Sequence, residues 1–493
     1  MENYIQDKLL PYQLPHIQQL LRSFDHQVIL DASDTGTGKT YTSIAIVKHL
    51  KIKPLIICPK SVINSWLTVI RLFDIEIHGI TNYEAIRSGK MYDVYMNYIN
   101  CPYIKIDVID NDSNDNDKKK NKTYKLIIET EERNNSIVIL DEAHRCKNSN
   151  TTNSKILVAI YRSGIKMLLL SATISDKIEC FKPFGYIMNF YSKLENYNMW
   201  MKRQLLLFRV IHNNTNYTEE QKKIDIIHRR LFPIRGSRMK ISQLGDIFPR
   251  NQIINQSYFL SNHDEIDQLY KEINQAMVEL RIKELRAQAL AKIIRCRQRI
   301  EILKIPIFLE LAEDALENNY NVAIFVNYHE TLEHLAFQLD TDCFIHGKQS
   351  LDERIQCINE FQNNEKKIII SNIQAGGVGV SLHDLYGVPR MSLISPTWSG
   401  QDLVQCLGRI YRAGSKTPAI QKLVFVADTY EDTIADIIKK KMINISGIND
   451  NDLIGPQFAK EEIEIINEEN NNIINSTTVN KIKLKKRNNV IEV

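Results

Sequence analysis

Short apolar runs punctuate the first 170 residues, and each stops at residues with chemistry of their own. Val28-Ile29-Leu30, Pro54-Leu-Ile-Ile-Cys58, Ser136-Ile-Val-Ile-Leu140 and Lys166-Met-Leu-Leu-Leu170 read as buried strands. Helix-like stretches follow the first two, Thr42 to Leu50 and Ser61 to Leu67. Strand and helix in alternation predict a parallel α/β sheet. Alternation resumes at 321, with candidate strands Val322–Val326, Cys343–His346, Ile368–Ile370, Met391–Ile394 and Leu423–Val426. Between the two alternating regions, residues 186–305 are basic, helix-rich and poor in strands. Apolar positions at helical spacing after Pro11 predict an amphipathic opening helix within residues 9–22.

Polar stretches complete the pattern. Residues 111–122 are low in complexity and predict a solvated loop without core-forming capacity. Beyond Ser446 the chain is rich in Asn and Glu, and it reaches the basic run Lys481-Ile-Lys-Leu-Lys-Lys-Arg487; a disordered tail is expected. That run reads equally as a nucleic-acid or localisation patch and as an unstructured charged end. The expected organisation is therefore an N-terminal α/β lobe over 1–185, a helical insertion over 186–305, a second α/β lobe over 306–445 and a tail over 446–493.

The candidate chemistry begins at Asp31-Ala-Ser-Asp-Thr-Gly-Thr-Gly-Lys-Thr40, a Gly-rich turn between a strand and a helix. Gly36 and Gly38 let backbone N–H groups approach a phosphate chain, and the helix N-terminus favours the anion. Ser33, Asp34, Thr35, Gly36, Thr37, Gly38, Lys39 and Thr40 are the candidate nucleotide-binding residues; Ser33 stands where the usual pattern has its first Gly. Lys39 can reach the terminal phosphates of ATP, and the Thr40 hydroxyl can ligate Mg²⁺. Gln13 is a candidate reader of the adenine edge, because an amide both donates and accepts. Asp141 and Glu142 follow a strand, at the edge where open α/β sheets bind ligands. Asp141 is the candidate Mg²⁺ ligand and Glu142 the residue that polarises the attacking water. In the second region, Arg409 and Arg412 stand three apart, on one face of an expected helix, as candidate arginine fingers.

Composition narrows the picture only a little. The 493 residues carry a net charge of +4, which neither requires nor excludes nucleic acid. The eight cysteines include no Cys-x-x-Cys pair, so neither a zinc site nor a disulfide framework is expected. No uncharged apolar stretch of about 18 residues is present, and the acidic start Met1-Glu-Asn-Tyr lacks a signal-peptide core. A non-secreted intracellular protein without a membrane span is expected.

Taken together, the motifs resemble those of superfamily 2 helicase-like ATPases, closest to SWI/SNF-type DNA translocases, over residues 9–440. Pro11-Tyr-Gln13 resembles the family's opening adenine motif. Ile57-Cys-Pro-Lys-Ser-Val-Ile-Asn-Ser-Trp66 and Ile80-Thr-Asn-Tyr-Glu84 resemble its next two motifs, and Asp141-Glu-Ala-His144 resembles the DEAH box. Ile234-Arg-Gly-Ser-Arg-Met-Lys240 with Phe248-Pro-Arg-Asn251 is similar to the Arg-rich and Leu-Pro segments that join the two lobes. His346-Gly347, Glu353-Arg354 and Phe361, then Ala375-Gly-Gly-Val-Gly379, and Pro396-Thr-Trp398 with Gln405 and Arg409, resemble the second lobe's motifs. Ser171-Ala-Thr173 and Gly408 instead resemble the general DEAD/DEAH helicase form, and they leave strand separation and RNA open.

The resemblance implies an α/β fold of two RecA-like parallel-sheet lobes with ATP and Mg²⁺ between them. It places Gly379 near the ribose, Gln405 in the nucleotide site and Arg409 and Arg412 at the phosphates. It further implies translocation on duplex DNA, with unwinding of DNA or RNA as the alternative and an ATP-gated assembly factor as a third class. Ser61, Thr81 and Ser371 are candidate contacts to a nucleic-acid backbone, and the basic cluster from Arg229 through Arg235 and Arg238 to Lys240 is a candidate binding arm.

Overall fold

The apolar runs of the N-terminal region become neighbouring strands. In chain order the strands up to residue 237 are β1 (Val28–Asp31), β2 (Lys53–Cys58), β3 (Gly79–Asn82), β4 (Lys90–Tyr92), β5 (Tyr98–Asn100), β6 (Ile104–Ile109), β7 (Asn121–Leu126), β8 (Ser136–Asp141), β9 (Lys166–Leu170) and β10 (Gly236–Ser237); the apolar runs are β1, β2, β8 and β9, and β6 and β7 pair with each other in a separate antiparallel sheet. The computed structural model describes residues 1–93, 97–109, 121–127, 133–211, 217–244, 248–249, 251–258, 260, 263–376, 380–397, 399–427, 429–450 and 487–492. The chain divides into two units, 1–247 with 441–455 and 248–440 with 456–493.

The first unit is built on an eight-stranded sheet in the order β10-β1-β9-β8-β2-β3-β4-β5. From β10 to β3 every neighbouring pair is parallel; β4 and β5 add an antiparallel edge. The reason lies in the runs themselves. Val28, Leu30, Leu55, Ile57, Val138, Leu140, Met167 and Leu169 pack in one core. Their alternates Ile29, Ile56, Ile137, Ile139, Leu168 and Leu170 pack in another, with Ile44, Val47, Trp66 and Phe73 from the helices Lys39–Leu50 and Ile63–Phe73. A sheet buried on both faces needs apolar residues at every position, and each such side chain contributes roughly 1.5–3 kcal/mol. The edge strand β10 lies so close to β1 that a Cβ on Gly236 would fall 2.7 Å from the Leu30 carbonyl oxygen. Only glycine fits there.

The second unit carries β11 (Asn251–Tyr258), β12 (Asn321–Val326), β13 (Phe344–Ile345), β14 (Ile368–Asn372), β15 (Arg390–Ile394), β16 (Ala419–Val426) and β17 (Arg487–Glu492). Their order is β13-β14-β12-β15-β16-β11-β17, parallel except for β17. All five strands expected after residue 321 are present.

Three features differ from the sequence reading. The region 186–305 is shared by the two units. The helices Tyr197–Ile211 and Glu219–Leu231 belong to the first, whereas β11 and the helices His263–Glu279 and Arg286–Leu303 belong to the second. β11 escapes a hydropathy reading because Asn-Gln-Ile-Ile-Asn-Gln-Ser-Tyr is mostly polar; eight residue pairs with β16 hold it in the sheet. Of the expected tail, residues 446–450 complete the helix Glu431–Asp450 and Arg487–Glu492 form β17, while 451–486 lie outside the described residues. The expected solvated loop 111–122 falls mostly outside them too; its last two residues open β7. Among the described residues no helix is long and apolar enough to cross a membrane.

Candidate active site

The parallel sheet sets the carboxyl ends of β1, β9 and β8 side by side. Asp31 and Asp141 each lie opposite Leu170, on either side of it. Beyond β1 the chain turns through residues 32–38 and enters the helix Lys39–Leu50 at Gly38. Gly38 has φ 88°, where an L side chain is strained, and a Cβ there would fall 2.3 Å from Gln13 Nε2. Gly36 shares that left-handed φ, and Asp34, Thr35 and Gly36 form the partly exposed rim of the turn. Lys39 Nζ donates to the carbonyls of Ser33 (2.9 Å) and Asp34 (3.1 Å), so the ammonium lies back across the loop. Thr37 Oγ1 donates to Asp34 O at 2.8 Å and tightens the turn. Gln13 is 2% exposed; its Nε2 donates to Thr37 O at 3.0 Å, and its Oε1 accepts from Leu10 N at 2.9 Å. In this arrangement Gln13 braces the loop.

Asp141 is the last residue of β8. Trp66 Nε1 donates to its Oδ2 at 2.9 Å, Glu142 N to its Oδ1 at 2.9 Å, and Tyr83 Oη to its carbonyl at 2.8 Å. Burial, then the neighbouring Glu142 charge, push the Asp141 carboxyl up to about 6. Glu142 adopts φ 53°, an uncommon conformation for a non-glycine residue and one that clusters at functional sites. It turns its Oε2 to within 3.2 Å of His144 Nδ1, and that nitrogen also lies 3.2 Å from Ser171 Oγ. Trp66 and Tyr83 as holders of the acidic pair are not legible from spacing, because an aromatic in an amphipathic helix reads first as core.

A Gly-framed loop at a helix N-terminus, with Lys39 folded into it, fits a polyphosphate. The Thr40 hydroxyl and the Asp141 carboxylate are hard oxygen donors and fit Mg²⁺.

The basic cluster resolves into separate structural contacts. Arg238 pairs with Asp34 (2.6 Å) and Asp450 (2.7 Å) and donates to Ala32 O (2.6 Å). Arg229 pairs with Asp225, Arg230 donates to Gln204, and Arg235 lies over the Phe190 ring. Arg238 therefore belongs to the architecture of the loop, whereas Arg229, Arg230 and Arg235 each have a partner elsewhere. Ile241 N, donating to Asp34 Oδ2 at 2.9 Å, completes that clamp. Thr81 is fully buried with its hydroxyl on Lys90 O, and Ser371 is 1% exposed with its hydroxyl toward Asn372 O. Neither presents its side chain at the surface, which corrects the expected backbone contacts; Ser61 lies half-buried in the turn Lys60–Val62.

In the second unit, the helix Gly400–Leu407 carries buried Gln405 and stops at Gly408. Arg409 and Arg412 thus follow the helix instead of sharing its face, a correction whose cause is the C-cap at Gly408. They still converge: Arg409 Nη1 and Arg412 Nη2 donate to the Val380 carbonyl at 3.1 and 2.9 Å, and Arg412 Nε donates to Gly408 O at 3.1 Å. Gly379 and Trp398 lie outside the described residues.

Two family models match the chain: "Type III restriction enzyme, res subunit" over residues 6–176, and "Helicase conserved C-terminal domain" over 298–414. The chain is 38% identical over 480 residues to "Putative ATP-dependent RNA helicase L364" of Acanthamoeba polyphaga mimivirus, covering 94% of this chain and 87% of that protein. It is 19% identical to the yeast "ISWI chromatin-remodeling complex ATPase ISW1" over 89% of this chain, but spans only 40% of that longer protein. Among solved structures, Saccharomyces cerevisiae Dbp5 bound to RNA and ADP BeF3 matches with TM-score 0.42 at 13% identity, over 88% of this chain and 91% of that one. The chain belongs to the superfamily 2 helicase-like ATPases. Its two parallel sheets are the RecA-like lobes of such an enzyme, and ATP is its nucleotide.

Proposed function

We propose that this chain couples ATP hydrolysis to movement along duplex DNA. The observation that carries the ATP half is the register of the sheet, which brings the ends of β1 and β8 to either side of Leu170 and so sets the loop beside the acidic pair. In this reading residues Ser33 to Thr40 take the phosphates, and Lys39 swings from the loop carbonyls to the terminal phosphates. Thr40 and Asp141 hold Mg²⁺, which supplies charge neutralisation when bound. Glu142 orients the attacking water. Arg409 and Arg412 offset charge in the transition state, a role typically worth about 10³–10⁵ in rate, with Gln405 and Gly379 beside the nucleotide. Duplex DNA is favoured by the SWI/SNF-like motifs from Pro11-Tyr-Gln13 to Pro396-Thr-Trp398 and by the similarity to a chromatin-remodelling ATPase.

The second reading is a DEAH-type helicase that separates strands of RNA or DNA. The approach of His144 Nδ1 to Ser171 Oγ favours it, because it ties the acidic motif to the Ser171-Ala-Thr173 triplet. The printed name of the mimivirus relative favours it as well. One pair of assays separates the readings. ATP-dependent displacement of a triplex-forming third strand, with the underlying DNA duplex left paired, supports translocation. Unwinding of a tailed RNA duplex without triplex displacement supports strand separation.

A further inference from the structure

Beneath the loop lies a buried histidine to which phosphate chemistry assigns no task. His16 is 5% exposed and sits one turn after Gln13 on the helix Gln13–Arg22. Its Nδ1 lies 2.9 Å from Ser237 Oγ on β10. Its Nε2 lies 3.1 Å from Asp31 Oδ2 at the end of β1 and 3.2 Å from Ser33 Oγ in the loop. Three elements thus meet on one ring.

The partners are themselves engaged. Asp31 Oδ1 accepts from Ser33 N at 3.0 Å, its Oδ2 accepts from Thr42 Oγ1 at 3.3 Å, and Ser33 Oγ accepts from Met239 N at 2.9 Å. Ser33, the residue that replaces the usual first glycine, is therefore the point where the histidine, the carboxylate and the edge segment are joined. At the loop's other shoulder, Tyr12 Oη and Gln13 Nε2 both donate to Thr37 O, at 3.1 and 3.0 Å. One short helical segment grips the loop at both shoulders. Burial pushes the Asp31 carboxyl up, yet the His16 charge and hydrogen bond, with Lys39 and Ser33, bring it down to about 2.

We propose that His16 is a positioning residue for ATP binding: its two ring nitrogens pin Asp31 and Ser33 to Ser237, and so hold the loop in the curvature that receives the phosphates. The proposal rests on reading the Ser33–Thr40 loop as the ATP site. It is tested on the full-length protein by steady-state ATP hydrolysis with duplex DNA present, alongside thermal melting, for His16→Leu, Ser237→Ala and Ser33→Gly. His16→Leu is expected to raise KM for ATP about tenfold, the size of one charge-assisted hydrogen bond, with little change in kcat. Ser237→Ala raises KM in the same direction by less, and Ser33→Gly on top of His16→Leu adds less than it does alone, because the two share the His16–Ser33 link and differ in the Ser33–Met239 one. His16→Gln, which keeps a donor and an acceptor, recovers part of the loss. A lowered melting temperature with unchanged KM in His16→Leu overturns the proposal. If His16→Leu does not fold, an unchanged KM in Ser237→Ala overturns it. Lys39→Ala run in parallel separates the two levels: if it stays inactive while His16→Leu keeps the parental KM, only the His16 role fails, whereas an active Lys39→Ala overturns both.

Discussion

Arg238 pairs with Asp34 at 2.6 Å and, through its Nε, with Asp450 at 2.7 Å, so one guanidinium ties the loop after β1 to the end of the helix Glu431–Asp450. Its side chain is 13% exposed, and a guanidinium so placed is a fork between two carboxylates instead of a hand for phosphate. Arg238→Ala removes the guanidinium that Asp34 and Asp450 share, leaving Asp34 on Ile241 N and Asp450 on Lys240. We expect a loss of about 2 kcal/mol in stability, the scale of hydrogen bonds to a charged group, and weaker ATP binding, with duplex DNA affinity kept. Urea unfolding and a DNA titration check this. Unchanged unfolding with weakened DNA binding would instead make Arg238 a nucleic-acid contact.

Lys39 makes its hydrogen bonds to two loop carbonyls, so truncating it removes little that holds the fold. Lys39→Ala is expected to melt within a degree or two of the parent and to lose ATP hydrolysis. Turnover at the parental rate in the purified variant would remove the loop from the reaction.

Glu142 stands in a strained conformation directly after the carboxylate assigned to Mg²⁺. Glu142→Gln keeps size and hydrogen bonding while losing the charge that orients water. Nucleotide affinity should persist and hydrolysis should fall at least about 10²-fold, measured by equilibrium binding against single-turnover hydrolysis. Equal turnover in variant and parent contradicts the assignment.

Acid stability reports on the network under the loop. Asp31 in the folded protein is brought down to about 2 from an ordinary 3.8. Its contribution is therefore complete above pH 3.8 and is lost as pH falls from there toward 2, a difference of about 2 kcal/mol. Denaturant midpoints at pH 6 and pH 3 should show a smaller acid loss in Asp31→Asn than in the parent. Parallel losses in the two proteins would mean that Asp31 is not held ionised by its neighbours.

Much of the fold is legible because a parallel sheet buried on both faces demands near-continuous apolar runs, and Val28–Leu30, Ser136–Leu140 and Lys166–Leu170 supply them. The loop and the acidic pair are legible for a related reason: both follow such runs, where strand ends gather. β11 is hidden because its pairing with β16 comes from backbone hydrogen bonds that polar side chains tolerate. The helix expected to carry Arg409 and Arg412 stops short because the glycine of Gln-x-x-Gly-Arg caps it, although both side chains still reach Val380 O. His16, Trp66 and Tyr83 are opaque for a different reason. Each sits at an apolar helical or turn position, and only the fold shows that its polar atom faces Asp31 or Asp141. Within the Arg229–Lys240 cluster, charge density along the chain says nothing about the acids that the fold brings opposite Arg229 and Arg238.

The central claim is that ATP hydrolysis here is driven by engagement of a nucleic acid, duplex DNA first. The most direct measurement is the steady-state ATP turnover of the purified chain alone, with duplex DNA, with single-stranded DNA and with single-stranded RNA, using Lys39→Ala as the blank. The account predicts slow turnover alone and a severalfold rise with duplex DNA that exceeds the rise with RNA. Turnover that no nucleic acid alters would contradict it.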